Sequence, residues 1–193
     1  MTRPVVCLFE DSGDPKSFGL LALLVACCAD RIGVTYFELR RRDEIRARPL
    51  NGVENVLAYL RSAGDDAWRR GEGVAAVLDS DRIHLHVDSP PRAPPEELIV
   101  KLRALGPGGA YVCSVLLYRN ADDLVRAARS VLGLAAPLGK PTHTDRDRLL
   151  GRVAADSNPE ARHRIIEKMP SFGVLVDTVM RLRDGPPGAP CPD

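Results

Sequence analysis

Aromatic residues make up only 5% of this 193-residue chain, and no apolar run reaches bilayer length. A membrane-spanning helix needs about 20 consecutive apolar residues. The longest apolar run here, Phe18 to Ala29, is closed by Asp30 and Arg31, so it reads as a buried helix. The expectation is therefore no membrane association. One-sided charge is absent too: 27 Lys and Arg against 26 Asp and Glu leave a net charge of +1. No whole-molecule field draws such a protein onto nucleic acid, and any such contact must come from local basic patches. The five cysteines form no CxxC pair, and four lie in apolar runs, where Cys behaves as a small hydrophobe. The opening MTRPVVCLFED goes straight into a strand-like run, unlike a signal peptide. Together these point to a cytoplasmic protein.

What is present is an alternation of short β-branched runs with helical periodicities. Pro4–Phe9, Val34–Leu39, Val74–Leu78 and Ala110–Leu117 read as strands. Ser12–Ser17 reads as a turn into the Phe18–Ala29 helix, Val53–Arg61 as a helix with Val53, Val56, Leu57 and Leu60 on one face, and Ser62–Glu72 as a polar loop. Pro95–Leu105 and Asp122–Leu132 read as helices, the first opened by Pro and Glu. Strands alternating with helices predict an α/β fold with a mostly parallel, Rossmann-like sheet covered by helices on both faces. Three further helices, Asp145–Ala155, Glu160–Lys168 and Gly173–Arg183, form a C-terminal extension. The predicted organisation is an α/β domain over 1–132, a helical extension packed on it over 133–183, and a disordered Pro/Gly tail over 184–193.

Acidic residues close two of the predicted strands. Glu10 and Asp11 follow the first, and Asp79-Ser80-Asp81 follows the third. In an open parallel sheet, ligands bind beyond the carboxyl ends of the strands, so both groups should meet at one edge. Carboxylates so gathered repel one another unless a cation or a shared proton intervenes. Mg²⁺ (or Mn²⁺) suits such a site because it takes one or two carboxylates and fills its shell with water and phosphate oxygens. Elsewhere, Arg40-Arg41-Arg42 with Arg46 and Arg48 forms a basic run on a predicted strand-to-loop segment. His84 and His86 could share one face of an edge strand, without a third ligand at zinc spacing. Trp68 falls in the predicted polar loop.

A Glu after the first strand and an Asp-x-Asp after a later one, VVCLFED and AAVLDSD here, resemble the signature of the TOPRIM superfamily of topoisomerases, primases and overcoming-lysogenisation-defect nucleases. The resemblance covers roughly the first 120 residues. It implies nucleic-acid phosphodiester hydrolysis with Mg²⁺, Glu10 acting on protons and Asp79 and Asp81 on the metal; Asp11 beside Glu10 is a further candidate ligand, and Arg42 and Arg48 of the basic run, with Lys140, are the candidate substrate contacts. Lys140-Pro141 and Met169-Pro170-Ser171-Phe172 further resemble small bacterial TOPRIM-like proteins encoded beside AAA or ABC ATPases. That implies an ATPase partner and a role as effector subunit in antiviral defence, and leaves self-association open.

Two other readings stand beside this one. A receiver domain also carries an acidic pair after its first strand, an Asp after its third and a Lys-Pro, which Glu10-Asp11, Asp79 and Lys140-Pro141 mimic. A non-catalytic scaffold subunit, docking an ATPase or another copy through its apolar helices, needs no chemistry at all.

Overall fold

The computed structural model describes residues 2–11, 18–105, 112–117, 120–135 and 141–185, with 63–69 as backbone only. The predicted Ser12–Ser17 turn, Lys140, residues 186–193 of the tail and the Trp68 side chain lie outside what is described. Four strands, β1 (Val5–Phe9), β2 (Ile45–Pro49), β3 (Gly73–Asp79) and β4 (Val112–Leu117), form a sheet in the order β2-β1-β3-β4. All three pairings are parallel. The α/β prediction holds.

Helices cover both faces because the buried strands are apolar on both sides. Cys7, Phe9, Ala75, Val77, Cys113 and Val115 face one layer; it contains α1 (Gly19–Ile32), α5 (Ala121–Val131), α6 (His143–Ala155), α7 (Glu160–Lys168) and α8 (Pro170–Asp184). Leu8, Val74, Ala76, Leu78 and Leu116 face the other, built from α3 (Val53–Arg69) and α4 (Pro95–Leu105). Alternation along each strand assigns the two faces. The Phe18–Ala29 run is indeed a helix: in α1 every residue from Gly19 to Ala29 except half-buried Leu21 is buried. A helix apolar all round requires cover on every side, and the sheet, α6 and α8 supply it.

Four local readings are corrected. Val34–Leu39 is not a strand: α2 (Tyr36–Arg42) begins there, because Thr35 and Glu38 form a reciprocal capping box that satisfies the first free N–H groups. Arg40, Arg41 and Arg42 therefore sit in the last turn of a helix. The strand is instead the charged stretch IRARP of β2, which alternates exposed Arg with inward residues because it is an edge strand. Third, α3 runs through the predicted Ser62–Glu72 loop as far as Arg69. Fourth, His84 lies in a single 3₁₀ turn, Ile83–Leu85, with His86 at its end, so the two imidazoles do not share a strand face.

The C-terminal helices are tied to the first part of the chain by three buried arginines. Arg146 of α6 pairs with Asp11, Arg162 of α7 with Asp30, and Arg183 of α8 with Glu44. The α1–α6 contact is equally close: the Gly19 N–H donates to Asp147 Oδ1 at 2.9 Å, and a Cβ on Gly19 would lie 2.6 Å from the Asp147 Cα. Since backbone rather than a flexible side chain blocks that space, Gly19→Ala should force the helices apart. The expected cost is about 1–3 kcal/mol, read as a lower urea midpoint at unchanged slope.

Candidate active site

The strand order reverses between β1 and β3, since the chain goes from β1 outward to β2 and then returns across it to β3. Such a switch point leaves a crevice beyond the strand ends, because the flanking loops turn away to opposite faces. A cleft of about 530 Å³ opens there, lined by Glu10, Asp11, Asp79, Asp81, Asn120 and Arg146 among others. The two acidic groups, 68 to 71 residues apart in the sequence, thus reach one site through parallel pairing.

Backbone hydrogen bonds hold the acidic loops in place. Asn51 and Gly52, both at positive φ in the turn after β2, donate N–H groups to the Asp11 and Glu10 carbonyls at 3.3 and 2.6 Å. Glycine carries the φ of 117° without the penalty a Cβ would impose. Glu10 Oε1 accepts from the Asp79 N–H at 2.6 Å, which joins the two strand ends directly. Asp79 Oδ1 accepts from the Ala121 N–H at 3.0 Å and so caps α5 from a neighbouring strand. Asn120, at the N-cap position, makes no cap bond; its side chain donates to Asp81 Oδ2 at 3.3 Å.

The electrostatics follow from this crowding. Burial raises the Asp79 carboxyl to about 8, and the charges of Glu10, Asp11 and Asp81 push the same way against the opposing Ala121 N–H. Glu10 is raised as well, first by burial and then by Asp11 and Asp81, with the Asp79 N–H opposing. Burial and the neighbouring carboxylates therefore favour the protonated form of Asp79 toward neutral pH.

Could these residues take a divalent metal? Among the described residues no three His, Cys, Asp or Glu side chains are grouped as a ready ligand set. Mg²⁺ does not need one, because one or two carboxylates suffice. Asn120 Oδ1 is buried beside the acids with no hydrogen-bond partner, which adds a hard neutral oxygen to the donors at hand. These donors are of the oxygen type that Mg²⁺ or Mn²⁺ takes, and Asp79 and Asp81 are the carboxylates that would hold such an ion.

Other predicted site residues lie elsewhere. Arg42 is in the last turn of α2, three residues before β2 begins, at the sheet edge opposite the cleft. Arg48 stacks its guanidinium over the Tyr59 ring at 4.7 Å and also does not line the cleft. Among the described residues, the cations that line the cleft are Arg82 and Arg146, with His86 and His143 beside them. Asp11, read as a metal ligand, is engaged by Arg146 at 3.1 Å. Sequence reasoning missed Asn120 and Arg146. The Asn120-Ala121-Asp122-Asp123 run, an N-cap residue followed by first-turn acids, was a legible signal for the first; a helical arginine carries none.

A raised carboxyl couples stability to pH. Between its ordinary value of 3.8 and about 8, folded Asp79 keeps a proton that the unfolded chain has released, so stability falls as pH rises through that window. Asp79→Asn keeps an oxygen for the Ala121 N–H but cannot ionise. It should match the wild type near pH 4 and exceed it by on the order of a few kcal/mol at pH 8 in denaturant titrations. A difference independent of pH would show that Asp79 ionises normally.

No protein-family model, curated protein or solved structure matches this chain significantly.

Proposed function

We propose that this chain hydrolyses phosphodiester bonds in nucleic acid with Mg²⁺ or Mn²⁺ at the cleft beyond β1 and β3. One observation carries the reading: Glu10, Asp79 and Asp81 come from separate strand ends to one crevice, and burial with mutual repulsion raises two of them. Carboxyls packed this way leave room for a cation to stabilise their charged forms. The TOPRIM resemblance assigns roles to the same three residues.

A bound divalent ion supplies Lewis-acid polarisation of a phosphoryl oxygen and a more acidic water. Asp79 and Asp81 would hold it, Asp79 giving up its proton on binding. Glu10 is fixed through Oε1 to the Asp79 N–H, and its raised pKa suits taking a proton from water or giving one to the leaving oxygen. Asn120 orients Asp81 through its amide N–H. A net charge of +1 provides little general attraction for a polyanion, so we assign substrate delivery to a partner, an ATPase subunit in a bacterial defence complex being the class the resemblance suggests. The same reading places the protein in the cytoplasm. No single helix among the described residues is long and apolar enough to cross a membrane.

The test is cleavage of single- and double-stranded DNA and RNA in Mg²⁺ and in Mn²⁺, alone and with the partner ATPase. Asp79→Ala and Asp81→Ala should each lower kcat by at least ~100-fold and weaken metal binding. Glu10→Gln should lower kcat by ~100-fold while metal affinity changes little. Full activity in the Asp79→Ala, Asp81→Ala double variant would reject the mechanism. Inactivity of the wild type under every condition would favour the non-catalytic scaffold.

A further inference from the structure

Three arginines on the C-terminal helices are buried, and two of them leave no buried nitrogen without a hydrogen-bond partner. Arg162 places Nε and one terminal nitrogen on the two Asp30 oxygens at 2.6 and 2.8 Å, and its other terminal nitrogen on the Val153 and Asp156 carbonyls. Arg183 bonds Glu44 and Asp184. Neither lines the cleft.

Arg146 differs on both counts. Its side chain is 7% exposed, it lines the cleft, and its Nε is buried with no hydrogen-bond partner. One terminal nitrogen meets Asp11, with both carboxylate oxygens at 3.1 Å, and the other is 3.0 Å from His143 Nδ1. The guanidinium sits in the first turns of α6, where Thr142 caps the Asp145 N–H and the helix dipole favours an anion. A buried, incompletely satisfied guanidinium beside a polar cleft is costly as pure structure. It suits a ligand that brings more acceptor oxygens than one carboxylate has, and a phosphate offers them in the geometry the planar fork takes bidentately.

We propose that Arg146 receives a substrate phosphate in this cleft, and that Asp11 is the internal carboxylate held on one terminal nitrogen of its guanidinium until that phosphate displaces it. The proposal rests on the phosphodiesterase reading for its substrate class. Asp11 belongs to the same loop as Glu10 and adds to the charge around Asp79. When it leaves Arg146, it returns a carboxylate to the acidic side of the cleft as the phosphate arrives. Binding of the anion would thereby complete the set of oxygens open to a cation, so substrate and metal should each strengthen the other's binding.

The exchange predicts an unusual sign. Asp11→Asn removes the competitor but keeps its shape, so inorganic phosphate, titrated calorimetrically in metal-free buffer at pH 7, should bind about tenfold more tightly than to the wild type. Arg146→Met should reduce phosphate binding at least tenfold. Because that variant leaves Asp11 without its partner, the Asp11→Asn, Arg146→Met double variant serves as the folded control. It should melt cooperatively and bind phosphate as poorly as the single Arg146 variant. A pair with a purely structural role would give Asp11→Asn unchanged or weaker phosphate binding, and that result overturns the proposal. The titration uses neither metal nor cleavage. Wild-type cleavage without tighter binding in Asp11→Asn thus defeats this proposal alone, whereas the predicted binding pattern without any cleavage leaves the anion site standing and defeats the hydrolytic reading.

Discussion

Everything at the cleft depends on the parallel register of β1 against β3, in which Val5 to Phe9 lie opposite Gly73 to Val77. Side chains alternate faces with a period of two, so a slip of one residue would exchange the two apolar faces of either strand. It would also carry Glu10 away from the Asp79 N–H that it accepts at 2.6 Å. The register is held from both sides: Cys7, Phe9, Ala75 and Val77 pack toward α1 and α8, while Leu8, Val74, Ala76 and Leu78 pack toward α3 and α4. The hydrophobic effect thus fixes the place where the acids meet, although no acid gains from meeting the others.

That meeting is unfavourable, and the structure offsets it by several weak means. Asp79 takes the first free N–H of α5, Glu10 takes the Asp79 N–H, and Asp81 receives the Asn120 amide. A hydrogen bond to a carboxylate lowers its pKa, yet burial and neighbouring charges outweigh those bonds at Asp79 and Glu10. Arg146 supplies a full positive charge on the same side, and it is directed to Asp11 rather than to the pair with raised pKa values. A site arranged only for stability would place its cation beside Asp79. Leaving that position to protons keeps it available to a ligand, in keeping with the tendency of perturbed carboxyls to gather at functional sites.

The α/β class, the apolar α1 and the acidic strand ends were legible from residue pattern because each depends on short-range periodicity or on the residues that close a strand. The element over Val34–Leu39 was misread because a β-branched start suggested extension, while Thr35 and Glu38, three apart, satisfied the helix N-terminus instead. The true β2 was illegible for the opposite reason: as an edge strand it carries two exposed arginines and little apolar signal, and only pairing with β1 makes it a strand.

The sequence by itself determined that two acidic groups follow two β-branched runs and must therefore sit at strand ends. Only tertiary structure decided which cations and amides face them. Arg42 and Arg48 looked suited to phosphate because they are clustered, yet one lies at the far sheet edge and the other stacks on Tyr59. Arg146 carries no local signal, but α6 packs against α1 and brings it to Asp11, 135 residues earlier in the chain. A strand end has a direction set by its own sequence, whereas the partner of a long side chain depends on which helix face the core buries.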